Sequence, residues 1–213
     1  MEGLSESVIE VGVAGLSLPG QSTSGDRHVF EPFSGGVLLA AIDGIGHGHE
    51  AAMAAEKACV ILRTNAAEPV VALAERCHGS LRSTRGVVMS LAAFDTVQNL
   101  LTWLGIGNVQ GVLQRFGLPL EGTDEPLLLR AGVVGSQLPP LRASVLPVAR
   151  GDTLILATDG VQSGFSRRLA SAMTPQRAAQ AILDGFSKGT DDALVLVARY
   201  QGCGTDGNRD NNE

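Results

Sequence analysis

Gly36-Val37-Leu38-Leu39-Ala40-Ala41-Ile42-Asp43-Gly44-Ile45-Gly46-His47-Gly48 is an aliphatic run that breaks off at an acid and continues as a glycine-rich loop. A short, β-branched and aliphatic stretch of this kind reads as a buried strand, and the glycines permit the tight backbone that follows it. The same grammar recurs along the chain. Thr153-Leu154-Ile155-Leu156-Ala157-Thr158 runs into Asp159-Gly160, Asp191-Asp192 opens onto Ala193-Leu194-Val195-Leu196-Val197-Ala198, and Gly25-Asp26 forms a further acidic station. Carboxylates at the ends of strands can converge at one edge of a fold. Brought together they repel unless a positive charge lies between them, and hard oxygen ligands select Mg²⁺ or Mn²⁺ over zinc or copper. The pattern therefore points to a divalent metal site.

The rest of the composition restricts the alternatives. A chain of 213 residues with 44% hydrophobic content fits one domain with a large core. Its net charge of -6 and 16 Lys and Arg residues, with no dense basic run, argue against a nucleic-acid partner. Cys59, Cys77 and Cys203 are far apart and lack CxxC spacing, so buried or idle thiols are expected in place of disulfides or a thiolate metal site. Met1 to Glu10 carries acids and no bases, unlike a secretory signal, and no apolar run reaches bilayer length. A soluble cytoplasmic protein with no membrane partner is expected. No heptad or interface patch is visible, so a monomer is expected.

The element order reads as α+β, since strands and helices do not alternate. Val8 to Leu16 reads as the first strand, Ser17 to Gly25 as a small-residue loop and Val37 to Ile42 as the second strand. His49 to Arg63 and Val70 to Leu81 carry helical patterns, with Pro69 suited to a helix start. Val87 to Phe94, Leu100 to Gly105 and Val109 to Phe116 read as an antiparallel meander in one sheet, with turns at Asp95 to Asn99 and Gly107-Asn108. Further strands are expected at Leu127 to Leu129, Ala143 to Leu146, Thr153 to Ala157 and Val195 to Tyr200. Pro175 to Phe186 reads as a helix with Thr174 as N-cap. Gly105-Ile106-Gly107-Asn108-Val109-Gln110-Gly111 is superficially a dinucleotide loop, but such a loop must open into a helix and a strand pattern follows. Cys77 and His78 are helix neighbours and do not face one another, which dismisses a nucleophile pair. One domain over 1–200 and a polar tail over 201–213 are expected, since Gln201 to Glu213 has too little apolar content to order itself.

Four quoted motifs carry a resemblance. Ser24-Gly25-Asp26, Asp43-Gly44-Ile45-Gly46-His47-Gly48, Thr158-Asp159-Gly160-Val161 and Thr190-Asp191-Asp192-Ala193-Leu194-Val195, in this order, resemble the successive motifs of the metal-dependent protein phosphatases of type 2C. The bacterial SpoIIE/RsbU/RsbX branch is the most similar, over about Val8 to Tyr200. Any one Asp-Gly pair would read as an ordinary turn; the ordered set is specific. The resemblance implies an αββα sandwich of two antiparallel β-sheets flanked by helix pairs. It implies two Mn²⁺ or Mg²⁺ ions and hydrolysis of phosphoserine or phosphothreonine by metal-activated water attacking phosphorus. Residue by residue, it implies that Asp43 bridges the ions, that the Gly44 carbonyl completes one of them, and that Asp159 and Asp191 bind at the other side. Asp26 matches the early acidic position, acting directly or through water. Asp192 stands where many relatives have Asn and is expected to orient Asp191. Asn108 replaces the acid of a Gly-Asp pair that can hold a third ion, which weakens a third site.

Arg27, beside Asp26, is a candidate for compensating phosphoryl charge, and His47 or His49 for protonating the leaving oxygen, against the plainer reading of an exposed glycine-rich loop. A single-domain length without a preceding sensory region is most similar to stressosome-associated members of the branch. That implies phosphorylated STAS-domain scaffold proteins of the RsbR and RsbS kind as substrates and a feedback reset of stress signalling. A phosphoprotein-binding adaptor that has lost turnover and a small-molecule phosphohydrolase remain as other readings of the same residues.

Overall fold

The computed structural model describes residues 8–18, 20–21, 23–117, 124–168 and 173–202. Its elements are β1 (Ile9–Leu16), β2 (Asp26–Phe33), β3 (Gly36–Gly44), α1 (His49–Thr64), α2 (Val70–Leu81), β4 (Val87–Asp95) and β5 (Leu100–Ile106). There follow β6 (Gln110–Gln114), β7 (Glu125–Pro126), β8 (Leu129–Arg130), β9 (Ser144–Pro147), β10 (Thr153–Ala157), a 3₁₀ turn (Phe165–Arg168), α3 (Pro175–Phe186) and β11 (Ala193–Tyr200). One sheet has the order β1-β11-β10-β6-β7 and the other β2-β3-β4-β5-β8, with β9 also on β5. The only parallel pair among these strands is β5 with β8.

Strand β3 shows why the layers stack as they do. It lies between β2 and β4. Leu38, Ala40 and Ile42 pack with α1 and α2, while Val37, Leu39 and Ala41 pack with Leu154, Leu156, Leu194 and Leu196 of the other sheet. Period-2 alternation thus serves two apolar faces at once, and the strand reads as a continuous hydrophobic run. Ile155, Ala157, Val195 and Val197 turn the other way, onto Ala178, Ala179, Ile182 and Leu183 of α3. The architecture is an αββα sandwich: α1 and α2 cover one face, and α3 with the short 3₁₀ turn covers the other. Alanines line the buried side of α1, which lets that helix lie close to the sheet. No helix among the described residues is long and apolar enough to cross a membrane.

Several expectations need correction. Asp26–Phe33 is a strand, although its sequence, with charges and Pro32, carries no strand signal; it is an edge strand, where both are tolerated. The expected meander does not stay in one sheet. β4 and β5 form a hairpin over Asp95 to Asn99, where Asp95 Oδ1 accepts from the N–H groups of Val97 and Gln98. Gly107-Asn108 is a crossing, because β6 pairs with β10 in the opposite sheet. Gly107, at φ 90°, is held there by donating its N–H to Arg130 O at 2.8 Å. In place of the expected strand at Leu127 to Leu129, two short strands flank Leu127 and Leu128, β7 (Glu125–Pro126) in one sheet and β8 (Leu129–Arg130) in the other. Of the expected tail, Gln201 still donates its N–H to Val8 O at 2.7 Å, and residues 203–213, Cys203 included, lie outside the described residues.

The edge strand β1 is closed by α3. Gln176 places its amide along the edge, accepting from Val13 N at 3.0 Å and donating to Val13 O at 2.9 Å. A methyl on Gly12 would stand 2.1 Å from Gln176 N, a backbone contact with no flexible side chain to yield. Gly12→Ala is expected to lower stability by about 2–3 kcal/mol, read as the urea midpoint; an unchanged midpoint would mean that α3 is not seated on β1 as described.

Candidate metal centre

The acidic stations gather because the strands that carry them end at one pole of the sandwich. β2 begins where β3 ends, so Asp26 and Asp43 face one another across one rung of the ladder. In the opposite sheet, Asp159 stands two residues beyond the end of β10, and Asp191 and Asp192 immediately precede β11. Close backbone approaches fix these turns. A methyl on Gly44 would stand 2.2 Å from Ala51 O in the first turn of α1, and one on Gly160 would stand 1.8 Å from Asp192 O. Both positions therefore need glycine, whatever else Asp-Gly signifies.

Each carboxylate has its own setting. Thr158 donates its hydroxyl to Asp26 Oδ2 at 2.7 Å and accepts from Leu194 N at 2.8 Å. Asn108 donates its amide N–H to Asp159 Oδ2 at 2.7 Å. Asp191 Oδ1 accepts from Asp192 N at 2.9 Å. The Asp192 carboxylate, itself buried, accepts from Leu18 N at 2.7 Å and Gly25 N at 2.6 Å, and Gly25 O in turn accepts from Gly44 N at 3.2 Å. The expectation that Asp192 orients Asp191 is met only through its backbone N–H; its side chain holds the loop that leads to Asp26.

The electrostatics show that these groups share one field. Burial, and then the charges of Asp26, Asp159, Asp191 and Asp192, push Asp43 up to about 8. Asp26 is pushed up to about 7 by burial, against the lowering effect of the Thr158 hydroxyl and with the charges of Asp192, Asp159 and Asp191 adding to the rise. Asp159 is also raised, by burial and by Asp191, with Lys188 and the Asn108 hydrogen bond acting in the opposite direction. Among the described residues none of these five aspartates forms an ion pair.

Such a set of unneutralised hard oxygen donors fits a divalent cation. The side chains do not form a closed cage: among the described residues no three His, Cys, Asp or Glu side chains are grouped as a single-ion site. Carboxylate donors without thiolate or imidazole suit Mg²⁺ or Mn²⁺ better than zinc.

The other candidates fall elsewhere. Arg27 is held by Nε on Glu56 at 3.2 Å and by Nη1 on the carbonyls of Ser24 and Asp26, each at 2.8 Å, which clamps β2 to α1. His47 is exposed on the loop entering α1, and His49 is exposed as the first residue of that helix. Cys59 and Cys77 are buried free thiols pushed up to about 11 and about 12 by burial, which leaves them inert. Thr158 and the anchoring carboxylate of Asp192 were assigned no such roles from sequence. The available signal was a hydroxyl closing an apolar run beside an acid, and it is weak, because threonine is common in strands.

Comparison with known proteins bears on the fold and the family. The family model described as Stage II sporulation protein E (SpoIIE) matches residues 34–201. Phosphoserine phosphatase RsbX of Bacillus subtilis (strain 168) is 24% identical over 146 residues, which cover 68% of this chain and 71% of that protein. A chain from "The bacterial stressosome: a modular system that has been adapted to control secondary messenger signaling" superposes with a TM-score of 0.81 at 29% identity, covering 90% of this chain and 99% of its own. RsbX in complex with magnesium superposes with a TM-score of 0.80 at 20% identity, over 91% of this chain and 96% of that one. The chain belongs to the SpoIIE family of type 2C serine/threonine protein phosphatases.

Proposed function

We propose that this phosphatase uses two Mn²⁺ or Mg²⁺ ions, held by Asp26, Asp43, the Gly44 carbonyl, Asp159 and Asp191, to hydrolyse phosphoserine or phosphothreonine in STAS-domain proteins of a stressosome in the cytoplasm. The observation that carries the site assignment is the rung that sets Asp26 against Asp43 within the field of Asp159 and Asp191. Bound there, a pair of divalent cations supplies Lewis acidity toward the phosphoryl oxygens and lowers the pKa of a water. The chain's own residues hold the donors in place. Thr158 fixes one oxygen of Asp26, Asn108 fixes one oxygen of Asp159, and the Asp192 carboxylate anchors the loop from Leu18 to Gly25. Cys59 and Cys77, buried and inert, do not offer the thiolate nucleophile of a cysteinyl-phosphate route. The stressosome substrate is supported by the likeness to RsbX and to the stressosome chain.

The first test is Mn²⁺-dependent phosphate release from phosphorylated STAS-domain scaffold protein, with an anti-sigma-factor antagonist phosphoprotein in parallel. Release from the scaffold that falls at least about hundredfold in Asp43→Asn is expected. Release from the antagonist alone would overturn the substrate assignment. Metal bound without turnover on any phosphoprotein would favour the adaptor or a small-molecule phosphohydrolase.

The raised carboxyls also predict how stability depends on pH. Asp43 has a folded pKa of about 8 against a reference of 3.8. Between those values the folded state holds the proton more tightly than the unfolded one. The stability this confers is complete at low pH and is lost as pH rises toward 8. Metal-free Asp43→Asn is therefore expected to be more stable than wild type at pH 8, by about 2 kcal/mol, with the gap shrinking toward pH 5. Urea melts in chelator check this, and a gap independent of pH would sink it. Thr158→Val, which leaves Asp26 without its hydroxyl partner, is expected to weaken Mn²⁺ binding about tenfold by calorimetry. Unaltered affinity would remove Thr158 from the site.

A further inference from the structure

A phosphomonoester carries a charge of about −1.5 to −2 near neutrality. Its destination here is negative even when filled. Asp26, Asp43, Asp159, Asp191 and Asp192 bring −5, two divalent ions bring +4, and the balance is −1 before the substrate arrives. A cation from the protein at the rim would offset that repulsion. Two basic side chains near the pole, Arg27 and Arg85, are already engaged. Arg27 is spent on Glu56 and two carbonyls. Arg85 pairs with Glu50 at 2.5 Å, and its Nη1 lies 2.7 Å from where a Gly46 side chain would start.

Lys188 differs from both. It is exposed, and among the described residues its ammonium has neither an ion-pair partner nor a hydrogen-bond acceptor. Its backbone, in contrast, is tied to the metal-site turn. Lys188 N donates to Gly160 O at 2.9 Å, Gln162 N donates to Phe186 O at 2.8 Å, and Val161 and Ser187 form a β-bridge. The base of the side chain is thus fixed one residue from Asp159 across the turn, and its four-carbon stem is exposed. Its charge already reaches the Asp159 carboxylate. An exposed ammonium on a fixed base suits the capture of a phosphate as a point charge.

We propose that Lys188 is the side chain that receives the phosphoryl dianion of the substrate at the rim of the carboxylate pole. This rests on reading the pole as a two-cation phosphatase site, and it gives the site a substrate-binding residue in place of Arg27.

The test uses the full chain and the variants Lys188→Met and Lys188→Arg, all saturated with Mn²⁺, with inorganic phosphate as probe. Calorimetry reads phosphate binding without any need for turnover, and steady-state kinetics on phosphoserine protein reads KM and kcat. Lys188→Met is expected to weaken phosphate binding and raise KM about tenfold, which corresponds to about 1.4 kcal/mol. Lys188→Arg is expected to restore most of the loss. Mn²⁺ affinity in Lys188→Met is expected to be equal to or tighter than wild type, since a nearby positive charge has gone. Phosphate binding that is unchanged in Lys188→Met, or undetectable in wild type, would overturn the proposal. So would a loss that tracks weakened Mn²⁺ binding. Absence of turnover in the wild type would count against the phosphatase site; phosphate binding that still depends on Lys188 would then leave the anion-receiving role standing.

Discussion

Burial of mutually repelling aspartates is the constraint around which this molecule is organised. A fold that sets Asp26 opposite Asp43, and both within reach of Asp159, Asp191 and Asp192, gives up electrostatic stability in its metal-free form. The fold sustains this because three apolar layers hold the strands regardless of what their ends carry. Val37, Leu39 and Ala41 meet the second sheet, Leu38, Ala40 and Ile42 meet the helices, and Ile155, Ala157, Val195 and Val197 meet α3. None of these contacts depends on charge. The pole can then be strained electrostatically without loosening the sandwich, which is how sites for highly charged ligands are commonly arranged.

What was legible in the sequence follows from this separation. Strands buried on both faces announce themselves as unbroken aliphatic runs, so β3, β10 and β11 were readable, and α3 was marked by Thr174 and Pro175. The acids were readable because they interrupt those runs. β2 was not, because an edge strand needs one buried face, and only Asp26 and Val29 of its residues are fully buried. The passage of the chain between sheets at Gly107-Asn108 was also invisible. A glycine with positive φ serves a hairpin and a crossing equally, and the choice was made by Arg130 O and by Val88, whose side chain leaves no room for a Cβ. Both are distant in sequence, and local pattern carries no record of them.

The same reasoning separates the two neighbours Asp191 and Asp192, whose different roles were expected only from the resemblance and not from their residue type. β11 begins at Ala193, so consecutive side chains leave its entrance in opposite directions. Asp192 turns into the protein, where its two oxygens each accept one backbone N–H, from Leu18 and from Gly25. Asp191 is left half-buried at the rim. From Asp192 a single relay crosses the pole: its carboxylate holds Gly25, the Gly25 carbonyl holds Gly44 N, and Asp26 and Asp43 flank that link. An asparagine at 192 would present one carbonyl oxygen to two N–H donors and aim an NH₂ group at one of them. The loop from Leu18 to Gly25 would lose an anchor and one N–H would be left without a partner. In this chain, therefore, the second acid of the pair does not duplicate the first. It fixes the backbone on which Asp26 and Asp43 are brought face to face.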